Sequence, residues 1–433
     1  MGRQAVEYPN LQGSHMTDSR EYDPLPVASV DEIRASFPAL RRSHVKGTIG
    51  YFDAPGGTQV PDVVAEAVTE QLLRHNANAH WAYETSHELD EVLAESRAAL
   101  ADFVGGHPSE IVFGPNMTTL TFHLARALGR TYAPGDEIIV TELDHMANVS
   151  PWVDLQSESG VVAHTIPLVP ETGDLDWDVF ESSVSSRTRL VAVTAASNAL
   201  GTIVDLARAR ALAGSVDALL FVDAVHLAPH ERIDVGSLDC DFLACSPYKF
   251  YGPHVGVLWG RDELLRDILP PKLAPAPSDA PEKWETGTLN HEGIAGAGAA
   301  ADFLANLADR GTRRARLDAV FAELSMRGDD LCARLWGGLE GVPGVRLCGP
   351  RPGTPRTPTL SFTIEGHTPA EAAARLSSDW GLFLSHGNFY ASSVTTRLGV
   401  EPEGLLRAGC ACYTNLEEVE RLIEAVGQLA AGG

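Results

Sequence analysis

A lysine and an aspartate, each at the end of an apolar run, are the residues of this chain best placed for covalent chemistry. Lys249 lies in the turn from Ser246 to Pro253, just after the apolar stretch 241–245. A partly buried ammonium group is costly to keep charged, so its pKa falls and it becomes an amine that can form a Schiff base with an aldehyde. Asp223 ends the apolar run 219–222. Together they predict a pyridoxal phosphate (PLP) site, in which the carboxylate keeps the pyridine nitrogen protonated.

The elements that must position these groups alternate along the chain. Apolar, β-rich runs are separated by segments rich in alanine and leucine, which predicts parallel strands with crossover helices. The predicted strands are 111–113, 137–141, 190–194, 219–222 and 241–245. A helix is expected over 293–307, before a smaller α+β unit with strands near 359–364 and 405–413. Five prolines between Pro270 and Pro281 predict a surface excursion, either a lid or a dimer arm.

A candidate phosphate cradle lies at Gly114 to Thr119, between a predicted strand and a helix expected to begin near Thr118. The free backbone N–H groups at a helix N-terminus bind anions. Taken alone, the same segment is also typical of an ordinary capped helix.

Six motifs in fixed order give the chain a family resemblance. They are 51–57, 144–148, 197–202, 222–226, the lysine turn and 285–290. From about Tyr51 to Leu422 the chain resembles the class V aminotransferases of PLP fold type I, within them the cysteine-desulfurase-like group, here without the catalytic cysteine. This implies an α/β fold, a large domain with a mostly parallel seven-stranded sheet and a smaller α+β domain.

The resemblance also sets the expected domain limits. We expect residues 51–304 to form the large PLP-binding domain, and 17–50 together with 305–433 to form the small domain. Residues 1–16, which end in Gly13-Ser14-His15-Met16, are interpreted as an expression leader.

Cofactor-binding roles follow from the same resemblance. It implies that the phosphate is held by Asn116, Met117 through its backbone, Thr118, Ser246 and Tyr248. It implies a homodimer, in which Gly287 and Thr288 reach the phosphate bound by the partner subunit. It also implies that His145 stacks over the pyridine ring and that Asn198 hydrogen-bonds the ring hydroxyl. His226 stands where desulfurases commonly carry glutamine. It could donate the same bond and titrate near neutral pH, or be a packing histidine.

The substrate end shows the largest departure from the family. Arg407 matches the arginine that forks onto the α-carboxylate of the amino acid, although a solvated strand-edge arginine is the alternative. In the segment 384–391, Tyr390 takes the place of the nucleophilic cysteine, Ser385 replaces a second arginine, and Asn388 lies between them. A phenol with a pKa near 10 is a poor sulfur acceptor.

These residues suggest a reaction. Lys249 would remove the α-proton of the amino acid, with His145 and Asp223 as the other catalytic groups. The leading prediction is a carbon–sulfur lyase that acts by β-elimination on cysteine-like or S-conjugated cysteine substrates in bacterial secondary metabolism, and not a persulfide-forming desulfurase. An aminotransferase, an epimerase or a decarboxylating deaminase on the same scaffold stays open.

Composition and missing motifs argue against other classes. The net charge of -25 disfavours nucleic acid, no apolar run is long enough to cross a bilayer, and six cysteines show no zinc spacing, so we expect a cytoplasmic enzyme without a metal. The S-x-x-K pattern of serine acyl enzymes is present at Ser246 to Lys249, but their S-D-N and K-T-G motifs are not. A binding module on a degenerate PLP fold is difficult to reconcile with both Lys249 and Asp223.

Overall fold

The fold is built around a seven-stranded sheet. A computed structural model describes residues 25–432. In spatial order the strands of the large sheet are Ile111–Gly114, Gly256–Gly260, Phe242–Cys245, Leu219–Asp223, Thr188–Thr194, Glu137–Thr141 and Val162–Ile166. All neighbours pair in parallel except Gly256–Gly260, which is antiparallel to both of its partners. The expected mostly parallel seven-stranded sheet is confirmed.

Strand periodicity explains how this sheet is buried. Successive side chains of a strand point to opposite faces, and here both faces are covered. Ile139 and Val191 pack into one hydrophobic cluster, whereas Ile138 and Leu190 pack into another on the opposite side. A sheet covered on both sides needs almost continuous apolar strands, which is why its central strands were readable from sequence.

A smaller four-stranded sheet forms the second unit. In spatial order its strands are Val345–Cys348, Thr359–Ile364, Leu405–Gly409 and Ser385–Gly387, all antiparallel. It packs against the helices Arg313–Glu340, Pro369–Trp380 and Leu416–Ala431 through a third hydrophobic cluster. Two-residue strands pair Leu382–Phe383 with Gly50–Tyr51, Leu168–Val169 with Asp174–Leu175, and Ser43–His44 with Gly47–Thr48. The smaller α+β unit is confirmed.

Helices cover the two sheets. The other α-helices are Val30–Ala35, Asp62–Arg74, Glu84–Val104, Met117–Gly129, Ser150–Val153, Leu155–Ser159, Trp177–Ser183, Leu206–Gly214, Val235–Leu238, Asp262–Asp267, His291–Ala305 and Ser392–Arg397. Short 3₁₀ turns occur at Pro38–Arg41, Pro108–Glu110, Met146–Asn148, Pro247–Lys249 and Glu282–Trp284. Within residues 25–432, no helix has the length and apolar character needed to span a bilayer.

The structure corrects some of the predicted elements. The strand expected over 405–413 ends at Gly409. Cys410 N still donates to Pro358 O at 2.9 Å, in register with the strand, but the proline has no N–H to donate in return, and the chain then turns. Strands Val162–Ile166 and Gly256–Gly260 were not predicted. Residues 270–281 contain neither helix nor strand, as expected. The leader 1–16 lies outside the described residues, and the domain limits stay a prediction.

Candidate active site

A cavity of about 710 Å³ opens at the carboxyl ends of the large-sheet strands. Polar groups gather there because the carboxyl ends of parallel strands meet at one sheet edge. The structure brings most of the predicted site residues into its wall: Asn116, Met117, Thr118, His145, Asn198, Asp223, His226, Ser246, Tyr248, Lys249, Tyr390 and Arg407. Residues separated by almost 300 positions in the sequence therefore share one site.

Lys249 lies on the floor of the cavity in a 3₁₀ turn after strand Phe242–Cys245. Its Nζ donates to the carbonyl of Pro55 and lies 4.9 Å from the ring centroid of Tyr248. Burial, helped by the positive charge of Arg407, lowers the pKa of this lysine to about 7, although Asp223 acts in the opposite direction. At physiological pH, Lys249 is therefore a neutral amine in a large fraction of the molecules, and the neutral amine is the form that condenses with an aldehyde.

Asp223 ends the central strand Leu219–Asp223 and is 4% exposed. Its Oδ1 accepts a hydrogen bond of 2.9 Å from the backbone N–H of Val225. Burial raises the pKa of this carboxyl to about 6, while the Val225 bond and Lys249 lower it. A buried carboxylate is stabilised when a cation pairs with it, so this position is suited to a protonated pyridine nitrogen.

The predicted phosphate cradle is a helix N-terminus. Helix Met117–Gly129 begins one residue before the expected position, and Asn116 caps it by accepting from Thr119 N at 2.8 Å. The antiparallel strand Gly256–Gly260 passes very close to the start of this helix: a Cβ on Gly256 would lie 2.3 Å from the carbonyl carbon of Asn116. Glycine at 256 thus keeps the first turn of the helix facing the cavity, where its free N–H groups suit an anion.

Two buried polar atoms in the wall lack a protein partner. They are Oδ1 of Asn198 and Nδ1 of His226. Buried polar atoms are nearly always hydrogen-bonded, so these two atoms are suited to partners that enter the cavity, such as the polar groups of a ligand. With Lys249, Asp223 and the helix N-terminus they match the aldehyde, ring and phosphate of PLP, and the residues present fit this cofactor.

His226 differs from the expectation that it titrates near neutral pH. Its Nε2 lies 3.1 Å from the hydroxyls of both Thr357 and Thr359. Burial holds the pKa of this imidazole well below its usual value, with the positive charges of the site adding to the shift. His226 is therefore neutral at physiological pH, and the predicted pH dependence is not supported.

His145 follows strand Glu137–Thr141 and caps a 3₁₀ turn. Its Nδ1 accepts from Ala147 N at 3.0 Å, so a neutral imidazole carries its proton on Nε2. Burial lowers the pKa of His145 to about 4, and the charges of Lys249 and Arg407 contribute. Its ring centroid lies 5.5 Å from that of Tyr390.

Arg407 also lines the cavity and is 3% exposed. Its Nη1 donates to Asn198 O at 2.8 Å, and its Nε donates to Ser385 Oγ at 3.1 Å. The guanidinium carbon lies 4.0 Å from the ring centroid of Phe389. Burial lowers the pKa of Arg407 to about 9, so the group stays largely cationic and can bind a carboxylate. Ser385, expected at the substrate, does not line the cavity but orients this arginine.

Residues 388–390 form a cover over the cavity. Asn388 Oδ1 accepts from Tyr390 N at 3.1 Å, so Asn388 shapes the cover without lining the cavity. Two bonds tie the cover to the large-sheet side: Met146 N to Tyr390 O at 2.8 Å, and Asn198 Nδ2 to Phe389 O at 2.9 Å. Phe389 and Tyr390 both have left-handed backbone, with φ of 57° and 56°, a conformation that is costly for bulky residues.

Gly287 and Thr288 lie away from this cavity. Both are exposed, and nothing lies within 4 Å of the position of a Cβ on Gly287. Their expected contact with the site of a partner subunit stays a prediction.

Sequence reasoning missed Asp53 and Phe389. Asp53 Oδ1 is buried without a partner, burial raises the pKa of the carboxyl, and its charge acts on both Lys249 and Arg407. Asp53 belongs to the motif 51–57, which was a usable signal. For Phe389 the sequence offered no signal beyond its position next to Tyr390.

None of the six cysteines of the chain lines the cavity, and all six are buried. Cys410 and Cys412 instead line a separate pocket of about 370 Å³ beside His230. These two thiols thus line a different pocket from Arg407. Within the described part of the chain, no cluster of three or more His, Cys, Asp or Glu residues could hold a metal ion.

Comparisons with known proteins agree with this geometry. Residues 50–422 match the family model described as aminotransferase class-V. A cysteine desulfurase of Dickeya dadantii is 31% identical over 416 residues, covering 92% of this chain and 96% of its own. The apo structure of cysteine desulfurase from Thermococcus onnurineus NA1 superposes with a TM-score of 0.84 at 28% identity, covering 93% of this chain and 98% of its own. The cysteine desulfurase CsdA from Escherichia coli gives 0.81 at 28% identity, with 94% and 99% covered.

These relatives contradict the function predicted from the sequence, a lyase that is not a persulfide-forming desulfurase. That prediction relied on one loop, around Tyr390, whereas the similarity to cysteine desulfurases extends over more than nine-tenths of the chain. The comparisons also do not confirm the predicted subgroup of desulfurase-like proteins without a catalytic cysteine. Family, fold and cavity agree on the cofactor: the chain is a PLP-dependent enzyme and belongs to the class V aminotransferase family.

Proposed function

We propose that the chain is a cysteine desulfurase, which converts L-cysteine to L-alanine and passes the sulfur to an acceptor. The observation that carries this proposal is the cavity itself. It brings together Lys249, with a pKa lowered to about 7, and the two groups whose charges act on it, Asp223 and the cationic Arg407. The names of the similar proteins supply the substrate and the reaction.

Arg407 orients the substrate. Its Nε and Nη1 are held by Ser385 and Asn198, so the guanidinium keeps a fixed direction. A fixed guanidinium binds a planar carboxylate through two parallel N–H bonds. The α-carbon of the amino acid is thereby held between Arg407 and Lys249.

Lys249 moves the proton. With a pKa of about 7 its amine accepts a proton from the α-carbon and can return it to carbon later in the reaction. When bound, PLP supplies the electron-withdrawing ring that makes this proton acidic. The carboxylate of Asp223 would stabilise a positive charge on the ring nitrogen. The Nε2–H group of His145 can donate a hydrogen bond to a group in the cavity.

The cofactor assignments for Asn116, Met117, Thr118, Asn198 and His226 are part of the same proposal. The N-terminus of helix Met117–Gly129 and the two unpartnered wall atoms support them. We also propose a cytoplasmic homodimer in which Gly287 and Thr288 reach the partner's phosphate. Their exposure supports this, as do the exposed Leu73 and Trp81, at 78% and 60%.

The test is product analysis with L-cysteine and PLP in the presence of a reducing thiol. We expect alanine in amounts equal to the sulfur released, measured by chromatography and mass spectrometry. Lys249→Ala should abolish it, while Lys46→Ala, a change of an exposed lysine, should not. Pyruvate and ammonia in place of alanine would contradict the proposal.

A further inference from the structure

Removal of sulfur from cysteine needs a nucleophile that takes it. The effective nucleophile among sulfur acceptors is a thiolate, whereas alcohols and phenols serve poorly. Tyr390, on the cover of the cavity, offers a phenol at 74% exposure. The wall therefore carries the groups that hold and deprotonate cysteine but no group suited to accept its sulfur.

The six thiols of the chain are poorly placed for this step. Each is at most 9% exposed. Burial raises the pKa of every one of them, to about 12 for Cys240 and Cys412 and upward for Cys245, Cys332, Cys348 and Cys410. They are protonated at physiological pH and packed in hydrophobic clusters or at their edges.

The thiols nearest in the sequence to Lys249 and Arg407 are also held in place by backbone hydrogen bonds. Cys245 belongs to a strand paired on both sides, opposite Val257 on the antiparallel partner. Cys410 N donates to Pro358 O at 2.9 Å, and Cys412 N donates to Tyr251 Oη at 3.0 Å. Bringing any of these sulfurs to the substrate would break a strand or a buried turn.

Solvent, in contrast, has access to the cavity. Gly56 and Tyr390 are both exposed and both line it. A volume of about 710 Å³ lies in the upper part of the range of small-molecule sites. A small molecule can therefore enter the cavity from solvent beside the cover.

We propose that the sulfur acceptor is a free low-molecular-weight thiol that enters the cavity from solvent, and not a cysteine of the chain. This inference rests on the proposed function. In the reaction RSH + L-cysteine gives RSSH + L-alanine, an S–S bond forms and the Cβ–S bond breaks. The electron pair of the broken bond stays on Cβ, which takes a proton, so carbon is reduced while the transferred sulfur is oxidised to the persulfide level.

A single-turnover experiment on the PLP-loaded enzyme tests the inference. Enzyme is kept in large excess over L-cysteine, so that no second cysteine is present to act as acceptor. The added thiol is 3-mercaptopropionate, which has no amino group and cannot be a substrate. Alanine is measured with time, and the sulfur is located by alkylation and mass spectrometry of both the small thiol and the enzyme.

We expect alanine to form at least about tenfold faster with the added thiol than without it, and the persulfide to appear on 3-mercaptopropionate. Each single Cys→Ser variant that stays folded should behave like the wild type. Equal rates without thiol, with a persulfide on one cysteine peptide, would overturn the inference and leave the proposed function standing. No alanine under either condition would overturn both.

Discussion

The floor and the cover of the cavity are built in different ways. The floor consists of strand ends and the turns that follow them, with Asp223 and Lys249 fixed by the pairing of a buried sheet. The cover, residues 388–390, is irregular, has two consecutive left-handed residues and is tied down by two hydrogen bonds to the large-sheet side.

This difference separates two tasks. A floor that is part of the sheet holds the groups proposed to bind the cofactor and move protons, and it cannot change without disturbing the core. A cover held by few bonds can vary in sequence at little cost, so differences in the acceptor of the sulfur are expected there. Arg407 joins the two regions, because it bonds Asn198 on one side and lies against Phe389 on the other.

The most severe change to the floor is Lys249→Ala. Without the amine the enzyme loses both the covalent link to PLP and the base, so we expect a loss of at least ~10³-fold in turnover. Borohydride reduction followed by peptide mass spectrometry should find the cofactor on the peptide that contains Lys249 in the wild type. A label that persists in the variant would place the link elsewhere.

The junction of floor and cover is probed by Arg407→Lys. Lysine keeps a charge but loses the fork, which costs about 2 kcal/mol, or roughly 30-fold, in binding of the amino acid. The change should raise KM much more than it lowers kcat. Arg397→Lys, on a surface pair with Glu142, is the matched control. An unchanged KM would remove Arg407 from the substrate site.

The pH dependence of cofactor loading tests the buried floor. Lys249 has a pKa lowered to about 7, and only its neutral form attacks an aldehyde. PLP uptake by the apoenzyme should therefore rise about tenfold per pH unit below 7 and level off above it. Stopped-flow absorbance measures the rate. A rate that keeps rising toward pH 10 would mean that the lysine is solvated.

The smallest effect is expected for Ser385→Ala. The change removes the bond from Arg407 Nε to Ser385 Oγ but leaves the bond to Asn198. The binding free energy of the amino acid should weaken by about 0.5–1.5 kcal/mol, which raises KM about 2- to 10-fold. Ser393→Ala, on the short helix Ser392–Arg397, should have no effect. A change in kcat alone would show that Ser385 acts otherwise than by positioning Arg407.

The buried strands were predictable because their apolar runs are continuous. The missed strands lack that signal. Val162–Ile166 lies at the sheet edge with exposed and half-buried residues, and Gly256–Gly260 begins and ends in glycine, which is typical of turns. An edge position leaves little mark in a sequence, and burial on two faces leaves little mark when only three apolar residues stand between glycines, as in the interior strand Gly256–Gly260.

The floor of the site was predictable for the same reason, since its residues follow recognisable strands in family order. The cover was not. That Ser385 supports Arg407, and that Phe389 lies on its guanidinium, depends on how the small sheet meets the large one. Such contacts between distant segments have no local pattern. The function predicted from the loop around Tyr390 was wrong for another reason: one loop was given more weight than a similarity that extends over most of the chain.

Gly256 links two parts of the site that look separate in the sequence. It lies on the strand that follows the lysine turn, and a Cβ there would meet the backbone at the start of helix Met117–Gly129, the proposed phosphate site. Any side chain there would push that helix start outward, and the strand that returns from Lys249 would shift with it. Attempts to re-engineer the enzyme for a longer or bulkier cofactor must therefore redesign both segments together, through this single point of backbone contact.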